Sequence, residues 1–224
     1  MNVRVTRFLG GARGATGHAV IVDVFRAFTT AAFCVAAGAR EIVLVADHEQ
    51  ALALKRDDPA LFLTGEIDGR PIPGFDVGNS PSAIEGLDLS GRRVVQRTSA
   101  GTQGVNAATR AREIVLGSFV VAEATVRYLR AHAEQVTVVA MGHGAAETAD
   151  EDEACARYIG SRLADARVDV ADVIASLWKN EDPEWPEWFP RRDAELACEV
   201  DRFGFALPVA REAGLLVARP LWSD

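Results

Sequence analysis

The chain has 224 residues, of which 49% are hydrophobic and 25% charged, enough for one large α/β domain or two small ones. Its formal charge of -8 argues against a nucleic-acid or anionic-membrane surface, so an anionic ligand would have to be drawn by a metal or a few arginines. MNVRVTRFLGG at the N-terminus has no apolar h-region, and no apolar run reaches the length of a membrane span. With three scattered cysteines (Cys34, Cys155 and Cys198) lacking metal-ligand spacing, the expectation is a cytoplasmic, reduced protein.

In chain order, VRVTRFL reads as an edge strand. GGARGATG lacks both the G-x-G-x-x-G spacing and the terminal lysine of a P-loop, and it precedes a strand, so it is expected to be a flexible loop with Arg13 as a candidate anion contact. Ala19 to Val22 is a short β-branched run, a buried strand that ends at Asp23. The Ala-rich stretch from Arg26 predicts a helix ended by Gly38. EIVLVA is a second strand, HEQALALKRD an amphipathic helix, and LFLTGE a strand closing on Glu66. The segment IDGRPIPGFDVGNSPSAIEG, with four glycines and three prolines, is too long for a simple turn and reads as a functional loop.

RRVVQRTSAGTQGV repeats the opening pattern, a strand followed by Thr98, Ser99, Gly101 and Thr102 and then a helix. EIVLGSF and VTVVAMGHG are strands, with AEATVRYLRAHA a helix between them, and DEDEACARYIGSRLADA is a helix whose acidic first turn suits the helix dipole. The alternation predicts an α/β fold with a largely parallel or mixed sheet covered by helices. WKNEDPEWPEWFPRR, holding three of the four tryptophans and three prolines, cannot be one regular element, and the tail reads as a helix, a strand and a terminal segment. No linker marks a boundary, so residues 1–224 are treated as one domain, with an irregular segment at 178–192.

Three strands therefore end in polar sets: Asp23 with Arg26, Glu66, and Thr98 to Thr102. If these ends share one sheet edge, where open α/β sheets bind ligands, they gather carboxylates, hydroxyls and an arginine, an inventory that suits Mg²⁺ and phosphate. Each residue also has a plainer reading. Asp23 can cap its helix, Glu66 can be a turn residue, Thr98 and Thr102 can be caps, and Asp150, Glu151 and Asp152 can simply complement a dipole. Arg26, on an otherwise apolar helix start, is harder to explain structurally and points to function. Cys34 and Arg40 have the spacing of a cysteine phosphatase, but Cys34 falls inside a helix. Of the four histidines only His143, between two glycines after a strand, invites attention.

DVFRAFTT, Gly65-Glu66, GFDVGNSP (Gly74 to Pro81), TSAGT (Thr98 to Thr102), LGSF (Leu116 to Phe119) and EDEACA (Glu151 to Ala156) together resemble the 2-phosphosulfolactate phosphatase family. DAELACEVDRFGFALPV is similar to that family's C-terminal segment. The resemblance implies a three-layer α/β/α sandwich and a Mg²⁺-dependent hydrolysis of 2-phospho-3-sulfolactate, which in archetypal members serves coenzyme M biosynthesis. Carried over by motif, the positions at stake are Asp23, Arg26, Thr29, Glu66, Asn79, Ser80, Thr98, Gly101, Thr102, Asp152 and Cys155. Two departures are Ala100, where many members carry asparagine, and the tryptophan-proline stretch.

On this reading Asp23, Glu66 and Asp152 hold Mg²⁺, while Arg26 and the backbone N–H groups of Thr98 to Thr102 cradle the phosphate. A second cationic group for the sulfonate and carboxylate is expected from Arg97, Arg70 or Arg13. The expected partner is a small anionic phosphorylated substrate, in a possible homodimer, with no nucleic acid or membrane. Attack by an activated water and attack by Asp23 itself both stay open. So does a binding protein that keeps the fold without turnover.

Overall fold

A computed structural model describes residues 1–177 and 188–222. Trp178 and Trp185 lie outside the described residues, so the irregular segment expected at 178–192 is seen only from Trp188 onward. The elements in chain order are β1 (Asn2–Arg7), α1 (Phe8–Gly14), β2 (His18–Val22), α2 (Ala27–Ala36), β3 (Glu41–Leu44), α3 (His48–Asp57), β4 (Phe62–Ile67), β5 (Arg70–Pro71), β6 (Val77–Gly78), α4 (Pro81–Ile84) and β7 (Arg93–Arg97). After them come α5 (Gly101–Ala107), β8 (Glu113–Gly117), α6 (Ala122–His132), β9 (Gln135–Ala140), α7 (Asp150–Leu163), α8 (Val170–Leu177), α9 (Arg191–Ala197), β10 (Phe205–Glu212), β11 (Leu215–Ala218) and β12 (Leu221–Trp222).

The strands join into one mixed, mostly parallel sheet in the order β1-β9-β2-β8-β10-β11-β3-β7-β4-β5. Helices cover both faces, and alternation along the strands assigns the side chains. Ile21, Leu116, Val139, Ile42, Leu44 and Val94 face a shared inner core with α2 and α5, while Val20, Val22, Val115 and Val138 face α6 and α7. Val43, Leu63 and Val95 form a third cluster under α3. Burial on both faces is why these strands are continuously apolar, and each fully buried Val, Leu or Ile contributes about 1.5–3 kcal/mol.

Two expectations about the sheet are corrected. The tail is not a strand plus a terminal segment. β10 and β11 form a hairpin in the middle of the sheet, antiparallel to β8 on one side and to β3 on the other. Arg219 fastens it by pairing with the buried Glu41 at 2.7 Å, which also holds Arg93 at 2.6 Å. The second correction follows from the first. The group β1-β9-β2-β8 is parallel within itself, as is β3-β7-β4, but with this hairpin between them the two groups run in opposite senses. In a flat sheet their carboxyl ends would lie on opposite edges. Six strand-to-strand steps separate β2 from β4, over which the usual twist of about 20–25° per step would accumulate to roughly 120–150° and turn the two sets of ends toward one side.

The glycine-rich loop is also corrected. Phe8 to Gly14 is helix α1, packed on α5 with Ala12 fully buried, and a Cβ on Gly11 would lie 2.7 Å from Thr6. Arg13 ends α1 beside the start of β2, at the end of the sheet away from the site. The long loop after Glu66 holds β5, β6 and α4, whose N-cap is Ser80 with Pro81 in its first turn.

Candidate active site

Asp23 follows directly on β2 and is 6% exposed. Its Oδ1 accepts the Ala27 N–H at 3.0 Å, so it does cap α2, and the Gly101 N–H favours the charged form of the same carboxylate. A Cβ on Gly101 would sit 2.8 Å from Asp23 Oδ2, which leaves no room for any other residue there. Glu66, near the end of β4, accepts from the Ser99 N–H at 2.5 Å, the Ser99 hydroxyl at 3.0 Å and the Gly69 N–H at 2.6 Å. Asp152, in the first turn of α7, accepts from Val24 N–H at 2.7 Å and Gly142 N–H at 2.8 Å, tying together the chain leaving β2 and the chain leaving β9.

These three carboxylates, with Arg26, Asn79 and Glu151, line one cavity of about 220 Å³. Asp68, Ser99 and His143 complete its walls, and Trp188 and Phe189 close one side. Such a volume suits a small metabolite.

The acidic side carries more charge than the protein matches. Burial pushes the Asp23 carboxyl up to about 6, with the Glu66 charge adding to it. Burial, then the charges of Asp23 and Asp150, raise Glu151 to about 7. Asp152 is raised well above the usual carboxylate range by burial first and then by Asp23 and Glu151. Backbone N–H groups oppose these shifts without cancelling them. No three carboxylate, histidine or cysteine groups form a ready-made metal cage among the described residues. The donors are nonetheless all oxygen, and their unmatched charge is what a hard divalent cation relieves. Mg²⁺ bound by one or two carboxylates, with water and substrate completing its shell, fits this set.

Arg26 is matched within the protein, which gives it a structural use that its place in the sequence makes hard to see. Arg26 is 3% exposed and its Nη1 pairs with the fully buried Asp193 at 2.7 Å. It also donates to the Trp188 carbonyl at 3.0 Å and the Gly69 carbonyl at 3.3 Å, and its guanidinium lies 4.4 Å from the centre of the Phe189 ring. It still lines the cavity.

Other expected site residues are placed elsewhere. Thr98 and Thr102 cap each other: Thr102 Oγ1 accepts the Thr98 N–H at 2.8 Å, and Thr98 Oγ1 accepts the Thr102 N–H at 3.0 Å. Of the N–H groups expected to cradle the phosphate, those of Thr98, Ser99 and Thr102 are taken by Thr102, Glu66 and Thr98, while Ala100 lines the cavity. Thr29 donates to the Val24 carbonyl at 2.8 Å, and Ser80 donates to Asp193 at 2.8 Å. Arg97 is committed to the carbonyls of Ala46 and Glu66, Arg70 is exposed on β5, and neither they nor Arg13 line the cavity. Cys155 lies fully buried in the core behind Asp152, with its thiol pushed up by that burial, and does not reach the cavity.

Residues 11–194 match the family described as 2-phosphosulpholactate phosphatase. The chain belongs to that family. It is 43% identical over 126 residues to a protein of Deinococcus radiodurans, covering 55% of the chain and 52% of that protein. It is 35% identical over 143 residues to one of Bacillus subtilis, covering 62% and 61%. It is 36% identical over 169 residues to one of Carboxydothermus hydrogenoformans, covering 74% and 70%. All three carry the name probable 2-phosphosulfolactate phosphatase, and the chain spans little more than half the length of the first. The family's motifs thus fall on both sides of the cavity: DVFR supplies Asp23 and Arg26, and EDEAC supplies Glu151 and Asp152.

Sequence reasoning misses three residues of the site. Glu151 reads as a complement to the helix dipole, yet it lines the cavity. Ser99 is overshadowed by the threonines of its motif, and it is the hydroxyl that meets Glu66. Asp193 leaves no local signal, because its partners Arg26 and Ser80 are 167 and 113 residues away.

Proposed function

We propose that this protein hydrolyses 2-phospho-3-sulfolactate, or a closely similar small acidic phosphomonoester, to the alcohol and phosphate with the help of Mg²⁺. The observation that carries the reading is one small cavity in which Asp23, Glu66 and Asp152, from three separate parts of the chain, face Arg26. The family and the names of the relatives support the same reaction.

Asp23 with Glu66 or Asp152 would hold Mg²⁺, which when bound supplies Lewis-acid stabilisation of the phosphoryl charge. Arg26 would bind the phosphoryl oxygens, and its planar guanidinium matches that geometry. Asp152 keeps the ends of β2 and β9 in register around the site through its two backbone bonds. Glu151 and His143, both lining the cavity, are placed for proton transfer: as water adds to phosphorus the ester P–O bond breaks, water gives up a proton and the leaving alkoxide takes one. His143 also lines the cavity, where Arg13, Arg70 and Arg97 do not, and its ring N–H would donate to the substrate's other anionic end.

The test is phosphate release from 2-phosphosulfolactate and a panel of other phosphomonoesters, with Mg²⁺ and with EDTA. Mg²⁺-dependent release highest on the acidic substrate is expected. No release from any ester would overturn the reading, and a thermal shift with orthophosphate but no turnover would mark a binding protein instead.

A further inference from the structure

Among the described residues, Asp193 is the one fully buried carboxylate close to the cavity that does not line it. It lies in the first turn of α9, and its two oxygens are used differently. Oδ2 takes Arg26 Nη1 at 2.7 Å. Oδ1 takes the Ser80 hydroxyl at 2.8 Å, the Ser82 N–H at 2.9 Å and the Ser82 hydroxyl at 2.5 Å. Three donors from the start of α4 therefore fix the carboxylate, and the fixed carboxylate faces the guanidinium.

This matters because of what Arg26 would do without it. The same cavity is lined by four carboxylates, Asp23, Glu66, Glu151 and Asp152, while the hydrogen bonds of Arg26 go to Asp193 and to the Trp188 and Gly69 carbonyls. A buried guanidinium without its own partner would be pulled onto them, filling the space for a phosphoryl group and neutralising the carboxylates meant for a cation. Bonds from Arg26 to the Trp188 and Gly69 carbonyls, and the Phe189 ring over its face, add to the hold that Asp193 has on it.

We propose that Asp193 is a positioning residue, set by Ser80 and Ser82, that holds Arg26 back from the acidic side and keeps it aimed at the phosphoryl group. The inference rests on the phosphatase reading above and adds to it a residue that touches no substrate.

The test is a double-mutant cycle of wild type, Arg26→Lys, Asp193→Asn and the pair, with Mg²⁺ present. Two readouts are taken: the Kd for orthophosphate by calorimetry, and kcat and KM on 2-phosphosulfolactate. Asp193→Asn should weaken orthophosphate binding and lower kcat/KM by roughly ten- to a hundredfold, as a misplaced binding group does. The double variant should be no worse than Arg26→Lys alone, because Asp193 acts only through Arg26. Near-wild-type values for Asp193→Asn, or losses that multiply in the pair, would overturn the proposal.

If Asp193→Asn does not fold, Ser82→Ala takes its place, since it removes a donor and leaves the charge pair intact. A several-fold loss that disappears in the Arg26→Lys background supports the proposal, and an equal loss in both backgrounds overturns it. A wild type that binds orthophosphate but hydrolyses nothing refutes the phosphatase reading alone, and the binding cycle still judges Asp193. A wild type that does neither overturns both.

Discussion

Asp152 and Asp193 are both buried aspartates that hold the cavity together, and they differ in one respect. Asp193 faces an arginine, so its charge is matched inside the protein. Asp152 takes two backbone N–H groups but faces Asp23 and Glu151, and its carboxyl is pushed well above the usual range by burial and by them. Where charge is matched from within, the residue is part of the scaffold. Where it is left over, the missing countercharge has to come from what the site binds.

The sharpest way to break this contrast is Asp23→Asn. It takes one charge from the unmatched side and should lower kcat by at least about a hundredfold with the fold intact, as loss of a metal ligand or nucleophile does. Steady-state phosphate release beside a circular-dichroism spectrum checks it. Asp152→Ala comes next. It leaves the Val24 and Gly142 N–H groups buried without an acceptor, so urea unfolding should show a loss of about 2–4 kcal/mol.

A smaller effect should appear in the pH dependence of the metal-free protein. Asp23 is raised from 3.8 to about 6, and Glu151 from 4.5 to about 7, both chiefly by burial. The folded state therefore holds protons that the unfolded state has lost. Their stabilising contribution is complete below about pH 4 and disappears as pH rises through 6 to 7. Tm should fall over that window, less steeply in Asp23→Asn, and Mg²⁺ at a hundred times its Kd should restore about 2.7 kcal/mol at pH 7.5. The smallest effect is expected from Thr102→Ala. It removes a capping pair outside the cavity, so it should cost about 1–2 kcal/mol of stability while KM stays unchanged.

Much of the fold was legible because strands buried on both faces are written as apolar runs and the stretches between them as Ala-rich or amphipathic helices. The strand ends carrying Asp23, Glu66 and Thr98 were found that way. Direction was not legible. Nothing local in Leu215 to Ala218 says that it enters the middle of the sheet and reverses the sense of everything beyond it. The strand ends do meet in one cavity, although the two strand groups run in opposite senses. What TSAGT and Arg26 bond to within the protein was not legible for a related cause. Whether an N–H or a guanidinium is free depends on partners such as Glu66 and Asp193, which are remote in sequence.

The β10–β11 hairpin also sets the timing of folding. As the chain leaves the ribosome, Asp23, Glu66, Asp152 and Asp193 all emerge before the residues that join the two strand groups. Leu216 must then find Leu44, and Leu207 must find Leu116, before the sheet is continuous. Closing such long loops late is slow. A nascent chain halted before Phe205 would carry every residue assigned to the site and still lack the strands that bring its two sides together.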